Sequence, residues 1–163
     1  VPPDAVEAIR LADSLFLHAL ASFPERLRAT RPQPGDWSAT EVLAHVALTE
    51  REKYWPQLRA AVAHEPLVQQ PTRGAQPERP APFDEMLADY QAVRSQEIAL
   101  LSSLPSEQWD TVFQHWTFGA VDIHWLARRM TQHTLDGAQQ ALMALNLLVC
   151  GDHERFQSPP PRS

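Results

Sequence analysis

Apolar positions recur at helical spacing in four stretches of this chain, separated by segments where the period is lost. In residues 4–30, Ile9, Ala12, Phe16, Ala19, Leu20, Phe23 and Leu27 share one stripe, and Pro24 is placed to kink or end that helix by removing a backbone donor. A second helix is predicted from Ser38 to about Ala63. Ala44, Leu48, Trp55, Leu58 and Val62 form its apolar side, Leu43, Ala47 and Tyr54 widen it, and Pro56 should bend it. The third runs from Phe83 to about Leu104, with Asp84 and Glu85 in the first turn where the helix dipole favours acids. Its inward face reads Met86, Leu87, Tyr90, Val93, Arg94, Glu97, Leu100, Leu101 and Leu104. The fourth runs from about Asp122 to Val149, and Gly151 follows as a stop.

The connecting segments are as informative as the helices. Residues 64–82 carry five prolines and no period, which predicts a long crossover between helices two and three. Residues 106–121 read as an irregular, aromatic-rich connector, and no strand is expected anywhere. The pattern therefore predicts an all-α four-helix bundle: one domain over residues 1–155, then a flexible tail over 156–163. A chain of 163 residues can bury a core without disulfide support.

Composition narrows the function. A formal charge of −6, with 14 Lys and Arg scattered among acids, argues against a nucleic-acid groove. No apolar run approaches the ~20 residues that span a bilayer, no leader pattern opens the chain, and a cytoplasmic protein is the expectation. The single cysteine, Cys150, excludes an internal disulfide and is expected to be a small buried hydrophobe at the end of helix four. Phosphate loops, a nucleophile elbow and paired catalytic carboxylates are all missing, so phosphoryl and acyl transfer have no support.

Chemistry concentrates on two histidines. Ser38 followed by Glu41 is a capping box, and His45 lies one turn beyond Glu41, on the boundary between the polar and apolar sides of helix two. His133 falls on the inward stripe of helix four with Ile123, Leu126, Ala127, Met130, Thr134, Gly137, Ala141, Leu145 and Leu148. Each has a plain alternative: His45 as a surface imidazole, His133 as a hydrogen-bonded core residue. His18, opposite the helix-one stripe, reads as solvated. An inward glycine at 137 costs a helix ~1 kcal/mol relative to alanine, so either a close helix approach or a ligand uses the space.

The pattern Trp37-Ser38-x-x-Glu41-Val42-Leu43-x-His45-Val46, followed by a proline-rich gap and by Gly119-x-Val121 leading into a helix with His133, resembles the DinB/YfiT-like superfamily. The resemblance covers essentially the whole chain. It implies a four-helix bundle, a homodimer, and a divalent metal held by one histidine on helix two and an H-x-x-x-H pair on helix four. Known activities in that family include thiol-dependent transferases and isomerases. Carried onto this chain, the metal ligands are His45 and His133, and the third falls on Gly137, which has no side chain to offer. Asp136 points off the stripe, Glu41 is engaged in the cap, Arg129 brings a like charge, and His115 and His124 lie near the connector. Two histidines with water would hold Zn or Ni only weakly. The resemblance thus implies a metal-dependent transferase or hydrolase acting on a small molecule through a bound thiolate or hydroxide. The alternative is a metal-free member that binds a small molecule or a second subunit. Nucleic-acid and membrane partners are not expected.

Overall fold

Ser38 receives a hydrogen bond from the Glu41 amide at 3.2 Å while the Glu41 carboxylate accepts from the Ser38 amide at 2.8 Å. This reciprocal cap starts helix two where the sequence placed it. The computed structural model describes residues 3–67 and 81–151. Most of the predicted crossover and the 156–163 tail lie outside those residues. Four helical segments carry the architecture: α1 (Pro3–Ala21), α2 (Ala39–Thr49) continuing into α3 (Trp55–Val62), α4 (Phe83–Ser103), and α6 (Ile123–Cys150). The protein is a four-helix bundle. α1 packs most extensively against α6, and α2 packs on both α4 and α6. Among the described residues, no helix is long and apolar enough to cross a membrane.

The apolar stripes of α1, α4 and α6 bury as their periods require. Ile9, Phe16 and Leu20 on α1, Tyr90 and Leu101 on α4, and Ile123, Leu126 and Met130 on α6 are all fully enclosed. α1 ends at Ala21, and a short 3₁₀ turn (Glu25–Leu27) follows Pro24, so the proline terminates the helix instead of kinking it.

Helix two departs from its predicted face for a local reason. Between α2 and α3 the backbone makes a π turn over Glu50–Tyr54, ending two residues before Pro56, where the bend was expected. A π turn adds a residue per turn, so the inward face beyond it rotates by roughly one residue's angle. Leu48, Trp55 and Val62, expected inside, are only partly buried, while Glu50, Gln57 and Ala61 join the expected Tyr54 and Leu58 in the interior.

The connector expected to be irregular is ordered. It holds a one-turn helix α5 (Ser106–Trp109) and an antiparallel hairpin of β1 (Phe113–His115) and β2 (Gly119–Val121), in register Phe113 to Val121 and His115 to Gly119. Gly119 has φ of 72°, which a side chain would oppose, and it lets the turn close. Strands of three residues are too short for alternation to mark them in the sequence. Cys150 is exposed instead of buried, because the last turn of α6 leaves the core beside the equally exposed Val149.

Candidate functional site

The bundle brings the two predicted histidines together. His45 on α2 and His133 on α6 face each other with their Nε2 atoms 3.2 Å apart. Both rings are half-buried, and the His133 side chain keeps 19% of its surface open. Burial is the main cause that lowers the His45 pKa, with the charges of His133 and Lys53 adding to it. The Trp37 ring stacks obliquely on His45 at 5.0 Å, and the Tyr54 ring meets His133 edge-on at 5.6 Å.

Gly137 explains the closeness of the pair. A Cβ built on it would stand 2.8 Å from Val46 Cγ2 and 3.4 Å from the Phe16 ring. Val46 neighbours His45, and Gly137 lies one turn past His133. The missing side chain therefore lets α6 press against α2 at the level where the imidazoles meet. Of the two uses open to this glycine, the structure shows close approach.

Behind His133 lies a buried charged cluster whose role the sequence did not reveal. Glu50 Oε1 is 3.7 Å from His133 Nδ1, and Glu50 is fully enclosed. Arg94, 1% exposed, reaches Glu50 at 3.0 Å, Glu97 at 2.9 Å and Asp13 at 3.8 Å, and donates to the Thr134 hydroxyl at 2.7 Å. Tyr90 donates to Asp13 at 2.7 Å. Burial and the Glu50 carboxylate push Glu97 up to about 10, against the pull of Arg94, so Glu97 is held as the neutral acid. That leaves Arg94 to balance Glu50 and Asp13. Arg94 and Glu97 fell on the predicted face of helix three, but a charged pair at core positions signals only that a partner exists, not where it is. Glu50 was hidden, since the π turn that carries it inward has no sequence mark beyond Pro56.

The cluster biases His133 by charge alone, since Nδ1 and the Glu50 carboxylate are both buried without a hydrogen bond between them. A carboxylate beside Nδ1 favours the proton on that nitrogen and leaves Nε2 as the acceptor toward His45. The remaining candidates separate from the pair. Glu41 binds Arg31 as well as capping α2. Asp136 is exposed and accepts from Gln132 at 2.8 Å. His124 sits by Asp110 at 3.6 Å, and His115 is pinned in the hairpin, its Nδ1 accepting from the Thr117 amide at 3.1 Å. His18 is exposed, as expected. Trp109 is fully buried under the connector, whereas Trp116 is 38% exposed.

The donor set suits a metal in part. Two imidazole nitrogens on one tetrahedral ion at ~2.0–2.1 Å stand about 3.3 Å apart, close to the 3.2 Å separation found here. Among the described residues, however, no group of three His, Cys, Asp or Glu side chains converges as a metal site. The helix-four position assigned to the third ligand is filled by the Val46 and Phe16 contact. The residues present fit two ligands of a centre and not a closed three-ligand site.

The sequence profile of the DinB superfamily matches residues 8–141. Two solved four-helix bundles are similar in fold. One is YfiT from Bacillus subtilis, described as "a probable metal-dependent hydrolase with an unusual four-helix bundle topology", with a TM-score of 0.63 at 14% identity over 96% of this chain and 87% of that one. The other is TT2238, described as a four-helix bundle protein, with a TM-score of 0.56 at 20% identity over 86% of this chain and 97% of that one. No curated protein sequence matches the chain.

Proposed function

The chain belongs to the DinB superfamily, and from that premise we propose that it is a small-molecule hydrolase or transferase whose reaction centre is the His45–His133 pair. The observation that carries the reading is the line Glu50, His133 Nδ1, His133 Nε2, His45 Nε2, with end contacts of 3.7 and 3.2 Å. Glu50 favours the His133 proton on the inward nitrogen, so Nε2 can take a proton from a water or thiol that displaces His45 from it. His45, its charged form disfavoured by burial, offers the opposing Nε2 as a neutral donor or acceptor. Tyr54 and Trp37 wall the pair with aromatic surface and limit its hydration. The description of YfiT as a probable metal-dependent hydrolase supports this class of reaction. A divalent ion such as Zn or Ni, if bound by His45 and His133, would lower the pKa of a bound water or thiol.

The partial donor set favours a second reading. Gly137 is closed off, so the same pair would serve a metal-free member that binds a small molecule without turning it over.

Turnover of a panel of activated esters and electrophiles, the latter with added thiols, separates the two. It is measured on tag-free protein with and without Zn or Ni. His133→Ala and His45→Ala should each lower kcat/KM by roughly 10²–10⁴-fold while the bundle stays folded. Absence of turnover across the panel, with or without metal, would leave the binding reading standing. Metal analysis of the same samples should show less than one ion per chain at micromolar protein. A stoichiometric ion retained through dialysis would contradict the two-ligand description of the site.

A further inference from the structure

Two cations flank Tyr54, whose ring meets His133. Lys53, in the π turn, is partly buried, with Nζ 5.2 Å from the Tyr54 ring. Arg129, one turn before His133 on α6, lies over the Phe118 ring at 5.3 Å and the Trp125 ring at 5.8 Å, within reach of the Tyr54 hydroxyl. Tyr54, between them, is the residue that touches His133. On the hairpin, Phe118 is 52% exposed, and Trp116 lines a neighbouring cavity of about 370 Å³ with Lys53, Gln57 and Arg59, which does not include the histidines.

Among the described residues, neither cation takes part in an ion pair. The nearest acids are committed elsewhere. Glu50 is bound to Arg94 at 3.0 Å, Glu52 to Arg51 at 3.2 Å, and Asp136 accepts from Gln132 at 2.8 Å. A chain with 20 acids and 14 Lys and Arg does not lack carboxylates to place here. The arrangement is also unfavourable by itself: burial, and then Arg129, hold the Lys53 pKa below its ordinary value. Two like charges kept together on partly desolvated aromatic surface await an anion.

We propose that Lys53 and Arg129 form a subsite for a carboxylate carried on a flat apolar group, which the exposed ring of Phe118 and the partly buried ring of Trp125 would cover. The guanidinium supplies a planar fork that matches a carboxylate, and the ammonium adds a point charge from the other side. A phosphate is less suited. At the start of α6 the Asp122 carboxylate already takes the Trp125 amide at 2.7 Å, and its charge disfavours a phosphate there. The proposal rests on the small-molecule reading of the histidine pair and specifies the substrate class as an aromatic or similarly flat monocarboxylate.

Benzoate is the probe, titrated into the full chain and followed by the shifts of the Arg129 side-chain N–H and the Thr117 and Phe118 amides. Saturation at roughly 1–10 mM is expected for so small a ligand, and the neutral isostere benzyl alcohol should bind at least tenfold more weakly. Lys53→Met and Arg129→Met, which keep aliphatic bulk, should each weaken benzoate about tenfold. His133→Ala should leave benzoate affinity within about twofold. Equal binding of benzyl alcohol, or benzoate affinity unchanged in both cation variants, would overturn the subsite. Benzoate binding without turnover of any substrate would overturn the reaction and leave the subsite standing.

Discussion

At the scale of single residues, Gly137 is the position where sequence and structure give different lessons. By the family pattern it is a lost ligand; by geometry it is the contact that lets His45 and His133 meet. Gly137→Ala would gain up to ~1 kcal/mol of helix propensity. The added methyl would meet Val46 Cγ2 at 2.8 Å, on a stiff β-branched side chain. Overpacking of that kind costs ~1–3 kcal/mol, so the variant should be less stable than the parent in urea unfolding. A second change, Val46→Ala, should recover part of the loss, because the two positions touch and their effects couple. An unchanged or raised midpoint for Gly137→Ala would show that the helices are not in tight contact. By the same reasoning Gly137→His should not create a metal site. Its imidazole has to enter the α1–α2 packing, and the expected result is a poorly folded protein without gain in Zn affinity.

At the scale of elements, the π turn decides which side chains reach the histidines. An uninterrupted α-helix through residues 50–54 would continue the stripe of Ala44, Leu48, Trp55 and Val62, which is what the sequence alone predicted. The turn brings Glu50 inward beside Tyr54, which the widened stripe already placed there, and both touch His133. Deleting Arg51, an exposed residue within the turn, should restore α geometry with α3 still in its present orientation, because it removes the one residue that the π turn absorbs. Far-UV circular dichroism should then stay helical, and stability in urea unfolding should stay within about 1 kcal/mol of the parent. A loss of several kcal/mol in that variant would mean that the turn does more than absorb one residue. This is also where legibility ended. Long stripes with steady period, as on α1, α4 and α6, identified their buried faces residue by residue, and the capping box fixed the start of α2. The cap and the inward stripe drew attention to His45 and His133, and it was the family resemblance that paired them as a candidate site. The hairpin escaped because three-residue strands carry no period. The Glu50–Arg94–Glu97 cluster escaped because a π turn is a change of register with no residue type of its own.

At the scale of the whole molecule, the buried cluster couples the stability of the bundle to pH. Glu97 on α4 faces Glu50 from the π turn, Asp13 from α1 and Arg94 from its own helix. Its pKa rises from 4.5 to about 10, so the folded state keeps a proton that the unfolded chain releases. The native state then binds more protons across that interval, and stability must fall as pH rises between about 4.5 and 10. The fall is at most ~1.4 kcal/mol per pH unit for one group. His115 acts in the opposite sense. Burial first, then Lys53 and Arg129, lower its pKa in the fold, so its contribution is present above about 6.5 and is lost as pH drops through that range. Glu41, lowered chiefly by its hydrogen bond with Arg31, loses its contribution only below about 4.5. Together these groups place the stability maximum on the acid side of neutrality, with Glu41 and His115 limiting it from below and Glu97 responsible for the fall above it. Glu97→Gln preserves shape and can still donate a hydrogen bond, but it has no proton to lose. The variant should match the parent near pH 5 and exceed it by a margin that grows to a few kcal/mol by pH 9, read from urea unfolding at intervals of one pH unit. If parent and variant lose stability in parallel through pH 9, the proton does not reside on Glu97, and the balance of charge around Arg94 must be held by a different member of the cluster.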